Sequence, residues 1–156
     1  MKKESGLTLI ELMTVIAIIG IAAAIAIPNI IGWLPNYRLG SASREVLTSL
    51  QQARLAAVKY NAPVLVTFDA AGNCISFVDN GAGVGGVYGD NTRNGSEITL
   101  VNSTLPPGVT VSSGFPFATV FGSTGLASAA GTLTLTNANG LIRQISVSPG
   151  GTSRIR

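Results

Sequence analysis

The sequence predicts an α+β fold: a long N-terminal helix, its first half transmembrane and its second half amphipathic, packed on one or two antiparallel β-sheets. Three observations predict it. Residues 7–31 form an apolar run of twenty-five residues that carries one charge, Glu11. Residues 38–60 then place Val46, Leu50, Ala53, Ala57 and Tyr60 at spacings of four, three, four and three, the repeat of one helix face. After residue 63 the period changes, and fifteen of the nineteen glycines lie at or beyond Gly72, between short β-rich runs.

As a helix, the run 7–31 spans about 37 Å at 1.5 Å per residue, enough to cross a hydrocarbon core of about 30 Å. The segment before it is short and polar and contains Lys2 and Lys3. Lysines on that side keep the N-terminus cytoplasmic and send the rest of the chain outward. A secretory signal would have a shorter apolar stretch followed by a small-residue cleavage site. Ala22-Ala23-Ala24 imitates such a site, but it lies inside an unbroken apolar run.

This run accounts for the mean hydropathy of +0.45. Only 11% of the 156 residues are charged, which excludes a disordered chain. There is no histidine and one cysteine, Cys74, so Ser-His-Asp and Cys-His catalysis, histidine zinc sites and an intramolecular disulfide are all removed. No enzyme activity, cofactor or metal is expected, and Cys74, placed mid-strand, reads as a buried and inert thiol. The net charge of +3 is too small to demand nucleic acid.

Residues 32–36 form a junction. Trp33 fits either the membrane interface or a contact with the outer domain. The amphipathic helix follows, with Glu45, Gln52 and Lys59 on its polar side, and Ala62-Pro63 ends it because the residue before proline avoids helical geometry. Strands are expected at 64–68 and 74–78 around a turn, then at 97–101, 109–112, 119–121, 132–136 and 142–148. The last extends in one reading into 153–156. Leu133 and Leu135 alternate with threonines and should face a core. The organisation is therefore 1–6 leader, 7–31 membrane helix, 32–63 junction and amphipathic helix, and 64–156 β-rich head.

Within the apolar run, Glu11 is the informative residue. A carboxylate in a membrane helix costs about 2.5–3.5 kcal/mol on insertion scales, and the run holds no cation to pair with it. The stretch Gly6-Leu7-Thr8-Leu9-Ile10-Glu11 resembles the leader motif G↓FTLIE of type IV pilins and type II secretion pseudopilins, with Leu7 in place of the usual phenylalanine. The resemblance implies that a prepilin peptidase cuts between Gly6 and Leu7 and that Leu7 is N-methylated. Glu11 would then pair with the amino terminus of a neighbouring subunit; the alternative is a carboxylate that stays wet near the membrane surface. Pro28 falls where the family commonly carries a helix-kinking proline, which removes one backbone hydrogen bond.

Residues 43–64, with Ala53-Arg54 and Lys59 through Pro63-Val64, resemble the helix-to-strand segment L-x-x-A-R-x-x-A-V-x-R-x-x-P-V of the GspH/FimT group. Gly131-Thr132-Leu133-Thr134-Leu135 and the terminal Arg154-Ile155-Arg156 resemble the group's ending. This implies a pilin-like fold and the role of a minor pseudopilin in a type II secretion pseudopilus or type IV pilus. Its implied partners are other pilin subunits, the prepilin peptidase and inner-membrane lipid. An ordinary single-pass periplasmic binding domain is the remaining alternative.

Two further features have the chemistry of sites. Residues 79–97 form a glycine-rich loop whose acids, Asp79, Asp90 and Glu97, have the oxygen chemistry of a calcium site, but the EF-hand register from Asp90 puts Val101 where a glutamate is required. A mobile surface loop is the expectation. The segment 33–97 carries five cations and five anions, whereas 98–156 holds Arg143, Arg154 and Arg156 and no anion. Paired guanidiniums suit phosphates, and FimT-type proteins linked to DNA uptake end in Gly-Arg-x-Arg. Here Ser153 replaces the glycine, so the candidates Arg143, Arg154 and Arg156 read either as a DNA contact or as solvated side chains.

Overall fold

The computed structural model describes residues 8–69, 72–83, 86–113 and 118–156. Its order is one helix, α1 (Leu9–Tyr60), followed by eight strands: β1 (Val64–Phe68), β2 (Asn73–Val78), β3 (Thr99–Thr104), β4 (Val109–Ser113), β5 (Ala118–Phe121), β6 (Gly131–Asn137), β7 (Ile142–Val147) and β8 (Ser153–Ile155). The chain divides into two compact units, Met1–Leu34 and Pro35–Arg156.

In the first unit the described residues are helical from Leu9 onward, and their large side chains are exposed: Leu9, Ile10, Ile18, Ile21 and Ile25 each show about two-thirds or more of their surface. No polar face balances them. The helix is long and apolar enough to cross a membrane. Backbone helix continues through Pro28 and through residues 32–36, so the two segments form one long helix. Proline costs the helix a hydrogen bond at each of Pro28 and Pro35 but does not end it.

In the second unit the same helix buries Leu39, Ala42, Ser43, Val46, Ser49, Leu50, Ala53, Ala56 and Ala57, one stripe at three- and four-residue spacing. Small residues dominate it and allow close approach of the sheets. Its two serines cost little, because Ser43 Oγ donates to Leu39 O (2.7 Å) and Ser49 Oγ to Glu45 O (2.9 Å). Tyr60, expected at the end of the stripe, is exposed instead. The helix ends at Tyr60: the next residue, Asn61, takes a left-handed φ of 50°, and Ala62 N–H donates to Ala57 O.

The strands form two four-stranded antiparallel sheets, ordered β3-β2-β1-β5 and β4-β6-β7-β8. Val64, Val66 and Phe68 of β1 join Leu39, Val46 and Leu50 of the helix and Leu133, Leu135 and Ile145 of the second sheet in a single core. The alternation in β6 holds for its leucines, though Thr134 is also buried. Strand β3 begins two residues later than the sequence predicts. The cause is local: Ile98 O still accepts from Val78 N–H, the register shifts at Ser76/Phe77, and Glu97 is occupied by the preceding loop. The C-terminal segment is a separate strand, β8, paired with β7 across a turn in which Gly151 has φ 75°.

Candidate functional site

Of the residues implicated in processing, Gly6 and Leu7 lie outside the described residues. Glu11 stands in the first turn of α1, exposed. Thr8 is the helix N-cap: its Oγ1 accepts from Glu11 N–H at 3.3 Å. The pattern Thr8-x-x-Glu11 is that of a capping box, a helix-start signal that the reading of Glu11 as a charged oddity overlooked. An acid in the first turn also interacts favourably with the helix dipole, by about 0.3–1 kcal/mol. That gain is smaller than the cost of placing a carboxylate in hydrocarbon. Among the described residues nothing hydrogen-bonds to the Glu11 carboxylate.

The loop 79–97 is organised from within. Asp79 is fully buried, and its two oxygens accept from Gly89 N–H (2.9 Å) and Asn91 N–H (2.7 Å). Glu97, also buried, accepts from Gly81 N–H (3.0 Å) and Asn94 N–H (2.9 Å). Asp90 accepts from Thr92 N–H and from the Asn94 side chain. Each carboxylate therefore serves backbone or amide donors across the loop, and no group of three potential metal ligands forms among the described residues. Close backbone packing completes the structure: a Cβ on Gly83 would sit 2.5 Å from Ser96 N. The described part of the loop is thus braced through its buried carboxylates, and it exposes Val87 and Tyr88.

The three arginines of the C-terminal half do not form one cluster. Arg154 pairs with Ser146, and Arg156 exchanges backbone hydrogen bonds with Gln144, so both side chains lie on the Gln144/Ser146 face of the second sheet. Arg143 has the parity of Ile145 and belongs to the opposite face. Arg154 and Arg156 line a shallow groove of about 260 Å³ with Ser146, Val147, Ser148 and Thr152. The groove has anion-binding chemistry but no aromatic side chain for base stacking.

Cys74 is buried in β2, as expected of a structural thiol. Burial pushes its pKa up to about 11 from 9.0, with Ser49 opposing the shift and Glu45 adding to it. The folded chain at pH 8 should therefore resist iodoacetamide that labels the urea-unfolded chain readily. Because ionisation is harder in the folded state, the stability associated with this thiol is complete below pH 9 and is lost as pH rises towards 11. Rapid labelling of the folded chain at pH 8 would contradict the burial.

The helix half without a polar face, capped at Thr8 and carrying Glu11, together with a helix-and-two-sheet head, defines a pilin-like protein. Residues 42–151 match the family profile described as Type II transport protein GspH, and residues 1–27 match the Prokaryotic N-terminal methylation motif. The chain belongs to the GspH family. It is similar to the pilin-like protein PilA1 of Thermus thermophilus, with 39% identity over 80 residues, 49% of each chain, so it spans about half the length of the curated relative it matches. Among solved structures it resembles the type IV minor pilin FimU of Pseudomonas aeruginosa (17% identity, 78% of this chain and 90% of that one, TM-score 0.59). It also resembles the minor pseudopilin EpsH of the Vibrio cholerae type 2 secretion system (14% identity, 76% and 96%, TM-score 0.57). At these identities the structural likeness establishes the fold.

Proposed function

We propose that the chain is a minor pseudopilin, a structural subunit of a type II secretion pseudopilus or type IV pilus. It is held in the bacterial inner membrane by its apolar helix, with the short N-terminus cytoplasmic and the β-rich head periplasmic. After a prepilin peptidase cuts between Gly6 and Leu7 and Leu7 is N-methylated, the helix leaves the lipid and enters a filament core. Its partners there are other pilin and pseudopilin subunits, and Glu11 receives the amino terminus of a neighbour. Pro28 loosens the helix by one hydrogen bond, which eases its adjustment to subunit packing.

The observation that carries this reading is the combination of three features. A helix with apolar side chains exposed on all sides begins within a methylation motif over residues 1–27, and a GspH-type head spans residues 42–151. Such a helix needs an apolar surrounding, and a bilayer and a bundle of like helices both supply one. DNA stands second as a partner; its support is the Arg154–Arg156 groove alone. The test is the intact mass of the chain extracted from membranes. Loss of residues 1–6 with addition of one methyl group is expected, and an uncut, unmethylated chain would overturn the proposal.

A further inference from the structure

Arg54 is a half-buried cation of the head. Its Nε–H donates to Gly125 O at 3.1 Å, tying the helix to the loop between β5 and β6. That loop is in turn joined to the β7–β8 turn, because Ala127 N–H donates to Pro149 O at 3.2 Å. The packing at this point admits no extra atom. A Cβ on Gly125 would lie 3.1 Å from Val58 Cγ2, and one on Gly151 would collide with the Gly125 carbonyl and stand 3.0 Å from Arg54 Nε. The guanidinium plane is thus fixed on one edge by two glycine turns.

Among the described residues the other edge has no partner. With Nε occupied, Nη1 and Nη2 remain, the pair of parallel donors that grips a carboxylate in bidentate fashion. Among the described residues no carboxylate or carbonyl meets them. Arg54 lines a pocket of about 250 Å³ together with Gln51, Leu55, Gly151, Thr152 and Ser153. The Ser153 Oγ is itself buried without a hydrogen-bond partner. Around this polar centre the surface is apolar: Leu55 is 70% exposed, Val58 55% and Leu126 55%. An anchored arginine beside exposed aliphatic side chains has the composition of a protein–protein contact centre rather than of a solvated face.

We propose that the Arg54 pocket is a carboxylate-binding site that takes an aspartate or glutamate side chain of a neighbouring pilin-type subunit. The proposal rests on the filament reading above. A single cation flanked by aliphatic surface matches one acidic side chain set among apolar neighbours, and the fixed guanidinium loses little freedom on binding it.

The experiment uses the full chain in bacteria that assemble the filament, with a photo-crosslinking phenylalanine analogue in place of Leu55 and identification of the joined peptides by mass spectrometry. The expected product joins position 55 to an acidic segment of an identified pilin-type subunit. Adding Gln51→Glu places a carboxylate of the chain itself one turn before Arg54, where it pairs with the guanidinium without touching the Arg54–Gly125 bond. Crosslinking should then fall about tenfold, the size expected of one charge-assisted pair, while Gln51→Ala changes it little. An unchanged thermal midpoint for Gln51→Glu shows that the fold is kept. Crosslinking to lipid only, to a segment without an acid, to nothing, or equally with and without Gln51→Glu would overturn the proposal. Absence of the chain without the probe from the filament fraction would instead overturn the filament reading.

Discussion

Replacing Glu11 by alanine should leave a chain that is cleaved and held in the membrane but missing from the assembled filament. In a core of packed apolar helices, removing one partner of an ion pair strands the other charge, which in the proposed filament would be the neighbour's amino terminus. Breaking a buried pair in this way costs about 3–5 kcal/mol, which lowers incorporation by roughly two to four orders of magnitude. Glu11→Gln keeps a hydrogen-bond acceptor and should lose less. The loss of helix-dipole interaction, at most about 1 kcal/mol, is too small to produce the same result. The measurement is the ratio of chain in sheared filaments to chain in membranes, with intact mass to show that processing is unaffected. Equal incorporation of wild type and Glu11→Ala would remove Glu11 from the assembly mechanism.

The second large effect concerns stability rather than assembly. Asp79→Ala should destabilise the head by about 3 kcal/mol, because two backbone donors, Gly89 N–H and Asn91 N–H, lose their acceptors in a buried place. For a unit of this size the thermal midpoint should drop by about 10 °C. Asp79→Asn preserves one carbonyl acceptor and should cost less. Asp90→Ala is the contrasting case: its contact to Thr92 N–H is exposed and its other donor, the Asn94 side-chain amide, is only part-buried, so its loss should cost about 1 kcal/mol. Circular dichroism of the full chain in detergent, read in the β-rich signal, distinguishes these outcomes. Equal midpoints for Asp79→Ala and Asp90→Ala would show that the buried carboxylate does not brace the loop.

The contrast between these two acids shows what the sequence made legible and what it did not. Glu11 stood out because a charge in an apolar run is costly wherever the run folds, so its oddity is visible without coordinates. The helix, most of the strands and the two leucines of β6 were readable for a related reason: periodicity is written along the chain. Asp79 and Glu97 looked like two of three acids in a polar loop, the composition of a mobile or metal-binding segment. Their actual role depends on donors ten, twelve, sixteen and three residues away, and no local pattern encodes those pairings. The arginines failed in a similar way. Composition showed that 98–156 lacks acids, but only strand register separates Arg143 from Arg154 and Arg156. Arg54 was visible as part of a family-like stretch, while its fixed edge and open pocket arise from two turns more than seventy residues downstream.

The membrane half of α1 also has a mechanical consequence. A helix that is apolar on every side is nearly indifferent to how far it is rotated or slid against similar neighbours, since each 1.5 Å step exchanges one aliphatic contact for another. Such a surface gives cohesion without a scale. Over residues 9–31 the polar side chains are Glu11, Thr14 and Asn29, and Thr14 Oγ1 is already bonded to its own helix at Glu11 O (2.8 Å). Within that stretch Glu11 is the charged mark on an otherwise unruled rod. In the filament proposed above, the axial spacing of subunits would be indexed by a single carboxylate, while the surrounding aliphatic surface would lubricate the search for that position.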